Sequence, residues 1–418
     1  MCSFSYVCVF SEMSGPSKTK TAKKSKEIVA EQAVLPPRVV EKFDTSLPLD
    51  NSVFRRVGNW SADSTAADVF PVGELMEYSN PSSSFKEEDV LLEAELIKLR
   101  EAAKVHRNVR KYAQSYIRPG MTMVEICSRL EAKTLELVKT NADWSNYLDR
   151  GYGFPTGCSL NHVAAHYSPN YGDKTVLTAN DICKLDFGVH VGGRIVDCAF
   201  TIAFDPIFDP LIAATQSATN AGLRAAGIDA RLGEIGSIIQ ETIESYEFVD
   251  KAGKSVAIKP CKNLNGHSME PYRIHGGQSI PIVARSDFAD DKMKEGTFYA
   301  IETFATTGKG YVVEDGECSH YMRVWDAPTA VPKLAHKGAR QLLDAIDKQF
   351  YTLPFCRRWL DDIGQARHLM PLKCLVDSGL VQDYPPLVDV KGSFTSQMEH
   401  TIVLKHSGKE IVSRGDDF

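Results

Sequence analysis

Ile182-Cys-Lys-Leu-Asp186-Phe-Gly-Val-His190-Val-Gly-Gly193-Arg-Ile-Val-Asp197-Cys-Ala-Phe-Thr-Ile-Ala203 reads as two apolar, β-branched runs joined by a turn containing Gly192-Gly193. That is the signature of an antiparallel hairpin. A four-residue loop, His190 to Gly193, places Asp186 and Asp197 directly opposite each other. Two carboxylates opposed on neighbouring strands, about 4.5–5.5 Å apart at Cβ, repel one another. Strands this apolar bring no solvent to screen them. A divalent cation held between them relieves the repulsion. An exposed edge hairpin with two solvated aspartates is the alternative this stretch leaves open.

Working outward, the chain of 418 residues has room for a large core, and its 43% hydrophobic and 24% charged content is ordinary for a globular protein. A net charge of −6 does not describe a nucleic-acid binder. Lysines 18, 20, 23, 24 and 26 make the N-terminus locally basic. Residues 1–45 are expected to form a disordered extension, and residues 46–418 one domain, over which the segment up to residue 85 lies as an irregular arm. Residues 1–12 lack a basic leader, and Met13 would serve equally well as a start. No run reaches 18 apolar residues, so no membrane span is expected. The ten cysteines are scattered without a CxxC pair, which suits reduced thiols in a cytosolic protein.

In chain order, Glu88 to Ile117 carries a helical pattern with Leu92, Leu96, Leu99, Ala103 and His106 on one face. Thr122-Met-Val-Glu125 is a capping box opening a second helix. Gly151 to Cys158 reads as a turn-rich approach to a short strand near Val163 to Tyr167. Ala213 to Gly227 and Leu232 to Tyr246 read as another helix pair. His267 and His275 lie in a Gly-rich stretch, expected to be turns. Thr297 to Phe304 is a buried strand, residues 334–382 are helical, and strands near Phe394 to Leu404 and Lys409 to Val412 follow. This alternation of helices and mixed strands indicates an α+β fold with two similar halves.

Four acids sit inside apolar strand patterns: Asp186, Asp197, Glu302 and Glu399. Acids are rarely buried unless paired or metal-bound, and four of them, with His267, strain an explanation by salt bridges alone. One imidazole and four carboxylates suit Mn, Fe, Co or Zn, and are too few for two isolated sites. Bridging carboxylates would allow two metals about 3.5–4 Å apart to share and activate a hydroxide. His166, His275 and His320 each admit three readings: core residue, ligand or acid/base group. No HExxH, GxSxG, Walker or dinucleotide fingerprint is present.

Phe154-Pro-Thr-Gly-Cys-Ser-Leu-Asn161, Ala164-Ala-His-Tyr167, Lys184-Leu-Asp-Phe-Gly188, Gly193-Arg-Ile-Val-Asp-Cys-Ala-Phe-Thr201, Asn263-Leu-Asn-Gly-His-Ser268, Tyr299-Ala-Ile-Glu-Thr-Phe304 and Glu399-His-Thr401 closely resemble the type 2 methionine aminopeptidases. The resemblance runs from about residue 50 to the C-terminal Phe418. It implies the pita-bread fold: two pseudosymmetric α/β halves around a dinuclear metal site, with residues 334–382 as a helical insert. It implies Asp186, Asp197, His267, Glu302 and Glu399 as ligands of two divalent ions, with Asp197 and Glu399 bridging. His166, His275 and Glu302 would be catalytic. His166 and His275 would also touch the substrate, and Phe154, His320 and Tyr384 would wall the methionine pocket. The implied activity is removal of an initiator methionine from nascent polypeptide N-termini when the second residue is small. The nucleophile would be a metal-activated hydroxide, and the protein a cytoplasmic monomer. The short N-terminal extension lacks the long lysine and acidic blocks of many eukaryotic members, which bears on any ribosome association through it. Two other readings share the fold: a regulator that has lost its metal site, and a proline-specific aminopeptidase or dipeptidase.

Overall fold

The hairpin forms, with a tighter turn than expected. Strand β4 (Ile182–Val191) pairs with β5 (Arg194–Ala203) so that Asp186 opposes Ala199 and Asp197 opposes Gly188. The loop is the two residues Gly192 and Gly193, with φ of 55° and 78°. Both values lie in the left-handed region required by the commonest two-residue hairpin turns. The expected direct opposition of the aspartates is thus corrected by a register shift of two residues. Because side chains alternate with period two, that shift leaves Asp186 and Asp197 on the same face, now as diagonal neighbours.

The computed structural model describes residues 73–77, 88–327, 334 and 337–418. The expected extension, residues 1–45, and most of the arm lie outside the described residues. Within the arm, β1 (Glu74–Met76) is a strand. Helix α1 (Glu88–Tyr116) buries Leu96, Leu99, Ala103 and His106. Helix α2 (Met123–Val138) is capped by Thr122, whose hydroxyl accepts from the Glu125 amide at 3.2 Å. Gly151 to Cys158 is not a turn-rich approach but part of β2 (Arg150–Leu160), with irregular register on either side of Phe154. Bulges explain the misreading: extra unpaired residues break the alternation by which a strand is recognised. Strand β3 (Val163–Ala165) ends immediately before His166.

The second helix pair is α3 (Asp209–Ala225) and α4 (Leu232–Glu244). Strands β6 (Glu247–Val249) and β7 (Ser255–Ala257) form a hairpin. Next come β8 (Lys259–Pro260), β9 (Asn265–Met269), β10 (Ser279–Pro281) and β11 (Phe298–Thr306). His267 therefore sits on a strand and not in a turn. Its segment has little intrinsic strand propensity, but β9 is paired on both sides, by β10 and β11, and tertiary pairing overrides local preference. Beyond them lie β12 (Val313–Glu314), β13 (His320–Arg323), α5 (Lys337–Gln349), β14 (Phe355–Cys356), α6 (Arg357–Asp362), α7 (Leu369–Asp377), β15 (Val381–Tyr384) and β16 (Leu387–Val388). The last strands are β17 (Thr395–Lys405) and β18 (Gly408–Ile411).

The architecture is α+β. One half sets α1 and α2 against the sheet β2-β4-β5, and the other sets α3 and α4 against β1-β18-β17-β11-β9-β10, with β8 on β11. Among the described residues no backbone ladder joins β5 to β17. Two threonines join them instead. Thr401 Oγ1 accepts from the Asp197 amide at 2.8 Å and donates to the Asp197 carbonyl at 2.6 Å. Thr201 Oγ1 does the same for Gln397, at 2.9 and 2.7 Å. Each hydroxyl takes the place of a strand's donor and acceptor, so the buried backbone groups along this seam are satisfied.

Arg358 on α6 fixes the helical segment to the first half. Its guanidinium is fully buried and grips Glu131 of α2 with two bonds of 2.7 Å, while Nε donates to the Pro169 carbonyl at 2.8 Å. Replacing Arg358 with Met should cost about 3–5 kcal/mol, because the Glu131 carboxylate stays buried without its partner. Arg358→Met combined with Glu131→Leu should recover most of that loss. Urea denaturation midpoints of the three proteins check this, and a single variant as stable as wild type would contradict it.

Candidate metal centre

Five strands bring five ligand-type side chains together. Asp186 comes from β4, Asp197 from β5, His267 from β9, Glu302 from β11 and Glu399 from β17. Glu302 and Glu399 are directly paired across β11 and β17, and His267 pairs with Ala300 two residues before Glu302. Ligand atoms of Asp197, His267 and Glu399 lie within 4.8 Å of one another, close enough to converge on one cation. His267 Nε2 is 3.4 Å from Asp197 Oδ2 and 3.9 Å from Glu302 Oε1.

Electrostatics make this cluster costly as it stands. Burial, with Asp197 alongside, pushes the Asp186 carboxyl up to about 8, and burial pushes Asp197 up to about 7. Glu302 and Glu399 are raised well above the usual carboxylate range by burial first and by Asp197 second. Burial lowers His267 to about 4. Its imidazole is therefore neutral at pH 7, so the contacts to Asp197 and Glu302 are not ion pairs and the ring can act as a ligand. Both oxygens of Glu399 and one oxygen each of Asp186 and Asp197 are buried without a hydrogen-bond partner. Orphaned buried carboxylate oxygens around a neutral imidazole fit a divalent cation.

The centre forms part of a cavity of about 450 Å³. All ten candidate residues line it: the five above with Phe154, His166, His275, His320 and Tyr384. Phe154 lies over Gly188, where a Cβ would meet its ring at 2.4 Å. His166 holds a left-handed backbone (φ 64°), unusual for a non-glycine residue and typical of strained functional positions. Its ring is edge-on to Tyr384 at 5.8 Å and 6.0 Å from His320. His275 stands edge-on to His267 at 4.7 Å. His320 and Tyr384 are a cross-strand pair on β13 and β15. Burial lowers His166 to about 4 and His275 to about 3, so both rings are neutral at pH 7.

Two features of the site were not anticipated from the sequence. Gln397 donates to Asp186 and Glu302, and Thr401 holds the Asp197 backbone. Alternation along β17 carries the only signal, since residues 397, 399 and 401 share one face.

Residues 97–340 match the family described as metallopeptidase family M24. Methionine aminopeptidase 2 of Sclerotinia sclerotiorum is 52% identical over 356 residues, covering 84% of this chain and 79% of that protein. The protein of the same name from Schizosaccharomyces pombe is 51% identical over 358 residues, covering 84% and 81%. Methionine aminopeptidase 2A of Arabidopsis thaliana is 49% identical over 358 residues, covering 84% and 78%. Among solved structures, a thermophilic Arx1 superposes with a TM-score of 0.65 at 18% identity, covering 80% of this chain and 92% of that one, a likeness of fold alone.

The raised carboxyls set a pH dependence whose sign can be worked out. In the folded, metal-free chain Asp186 and Asp197 keep their protons up to about pH 8 and 7, whereas in the unfolded chain they lose them near about pH 3.9. The stability these protons confer is full below about pH 4 and is lost as the pH rises through about 7 to 8. A cation must displace them, so metal binding at about pH 7 should release protons and tighten as the pH approaches about 8. The gap in denaturation midpoint between metal-replete and chelated protein should widen over that window. Taking the gap cancels the titrating groups that lie away from the centre. A gap that narrows with rising pH would contradict the carboxyl assignment.

Proposed function

The chain belongs to metallopeptidase family M24 and, within it, to the type 2 methionine aminopeptidases, and we propose on that premise that it removes the initiator methionine from nascent polypeptides whose second residue is small. The observation that carries this reading is the complete set of four carboxylates and a neutral imidazole in one cavity with three further neutral imidazoles, His166, His275 and His320. A regulator on the same fold that had lost its metal site would not need that set. Half-identical relatives named methionine aminopeptidase 2 favour methionine over proline-specific cleavage.

Asp186 would hold one divalent ion and His267 with Glu302 the other, with Asp197 and Glu399 shared between them. Oxygen-rich sites of this kind take Mn, Fe, Co or Zn. Such ions supply a hydrolytic nucleophile at neutral pH and a Lewis acid for the scissile carbonyl. The chain's own residues do the remainder. Glu302 takes the proton of the attacking water and passes it to the leaving amine. His275, neutral at pH 7, donates a hydrogen bond to the developing oxyanion without bringing charge, and His166, also neutral, accepts from the scissile N–H. One ring nitrogen of His166 donates to the Pro385 carbonyl, so its buried, unpartnered Nδ1 is an acceptor left available to substrate. Phe154, His320 and Tyr384 surround the methionine side chain, where a sulfur–aromatic contact contributes about 0.3–1.5 kcal/mol.

On the same reading residues 46–418 are the catalytic domain and 334–382 an insert within it that contributes Pro354 to the cavity wall. The protein acts as a monomer in the cytoplasm. No helix among the described residues is long and apolar enough to cross a membrane. Any ribosome association through the N-terminal extension concerns residues 1–45, outside the described residues.

Cleavage of Met-Ala-Ser with no turnover of an Xaa-Pro peptide tests the activity, and the reverse preference would overturn it. His166→Ala separates substrate contact from metal binding. It should keep both metals and lose kcat by roughly 10²–10⁴-fold, the usual range for one positioned acid/base group. KM should change much less, because the methionine pocket is intact. Metal titration and peptide kinetics on one preparation check this. Full recovery on adding excess metal would make His166 a ligand.

A further inference from the structure

Gln397 lies on β17 two residues before Glu399, so both side chains leave the strand on the same face. It is buried, yet it does not line the cavity. Its amide nitrogen donates to Asp186 Oδ2 at 3.0 Å and to Glu302 Oε2 at 3.2 Å. An amide NH2 has two hydrogens, so both are spent and each carboxylate is held by one of its oxygens. Asp186 Oδ1 is left buried and without a partner. Glu302 Oε1 is left 3.9 Å from His267 Nε2. The amide oxygen of Gln397 is itself buried without a partner. With Asp186 and Glu302 ionised, the inverted amide would turn that oxygen on two carboxylates, so the two donations fix its orientation.

We propose that Gln397 is a positioning residue for the metal centre: it ties a carboxylate of one ion's site to a carboxylate of the other's and sets which oxygen of each faces the cavity. This rests on the reading of Asp186, Asp197, His267, Glu302 and Glu399 as a two-metal centre. A carboxylate free to rotate offers either oxygen, or both, to a cation. Asp186 and Glu302 each have one oxygen occupied by the amide and present the other. The same side chain's backbone is held by Thr201 across the seam. The amide is thereby anchored to β5 as well as to β17, and the strand carrying Asp197 and the strand carrying Glu399 share one fixed point.

The test uses the full-length protein, stripped of metal and titrated calorimetrically with Co(II), together with the visible spectrum of the Co(II)-loaded form. Gln397→Met keeps the side-chain length and removes both donors. It should weaken both binding steps by about 10–100-fold, the usual effect of losing a partner that orients a ligand, and alter the Co(II) bands. The metal-free form should stay folded by circular dichroism, melting somewhat lower for the lost donations, and KM for Met-Ala-Ser at saturating Co(II) should stay near wild type, so that weaker metal binding is read on a folded protein. If wild type does not take up two ions, the metal-centre reading fails whatever the variants do. If wild type takes up two and Gln397→Met gives the same isotherm and spectrum, the positioning role fails. Should Gln397→Met not fold, Gln397→Asn keeps the amide and shortens its reach by one carbon. Weaker binding with altered bands supports the proposal, and unchanged or tighter binding overturns it.

Discussion

Burying like charges is the constraint to which the rest of the structure answers. Four carboxylates on four apolar strands converge with a single imidazole, and that imidazole is neutral. In such surroundings a charged group is held only by a counter-charge, a proton or a set of donors. The chain provides few donors: the Gln397 amide reaches Asp186 and Glu302, and both Glu399 oxygens have none. What remains must be met by protons or by cations. The apolar strands raise the carboxyl affinities for protons and also make the cluster a competent cation site. The lowered histidines of the same cavity follow from the same burial, and their neutrality keeps positive charge away from the place a cation would take.

Geometry is set by strands, which makes it rigid. Glu302 and Glu399 are fixed by direct pairing, and Asp186 and Asp197 by the ladder of the β4–β5 hairpin. The two pairs belong to different sheets. Their alignment depends on Thr201 and Thr401, each bonding both backbone groups of a residue on the facing strand. One of those residues is Asp197 and the other is Gln397, so the seam acts on the metal centre directly.

The parts legible in the sequence are those with a strong local signal. Acids interrupting apolar strand patterns gave the carboxylates, and helical spacing gave α1 to α4. The turn between β4 and β5 was misjudged because Gly192-Gly193 fits loops of two or four residues equally well, and only the ladder decides. Strand β2 was hidden by its bulges, and β9 by a composition that becomes a strand only between two neighbours. The left-handed backbone of His166 has no sequence mark, since a histidine there pays a steric cost that the surrounding fold imposes. Gln397 and the threonines of the seam are polar residues on an apolar strand, and their partners lie in another part of the chain.

The threonine seam also bears on when the centre can exist. Thr401 and Asp197 are 204 positions apart, and at ribosomal elongation rates of about 5–20 residues per second β17 follows β5 by about ten seconds or more. The hairpin carrying Asp186 and Asp197 is local and can form early. Until β17 arrives it presents two aspartates without Glu399, Gln397 or the backbone clasp that fixes Asp197. On the metal-centre reading, the full ligand set therefore comes together only once β17 has been made.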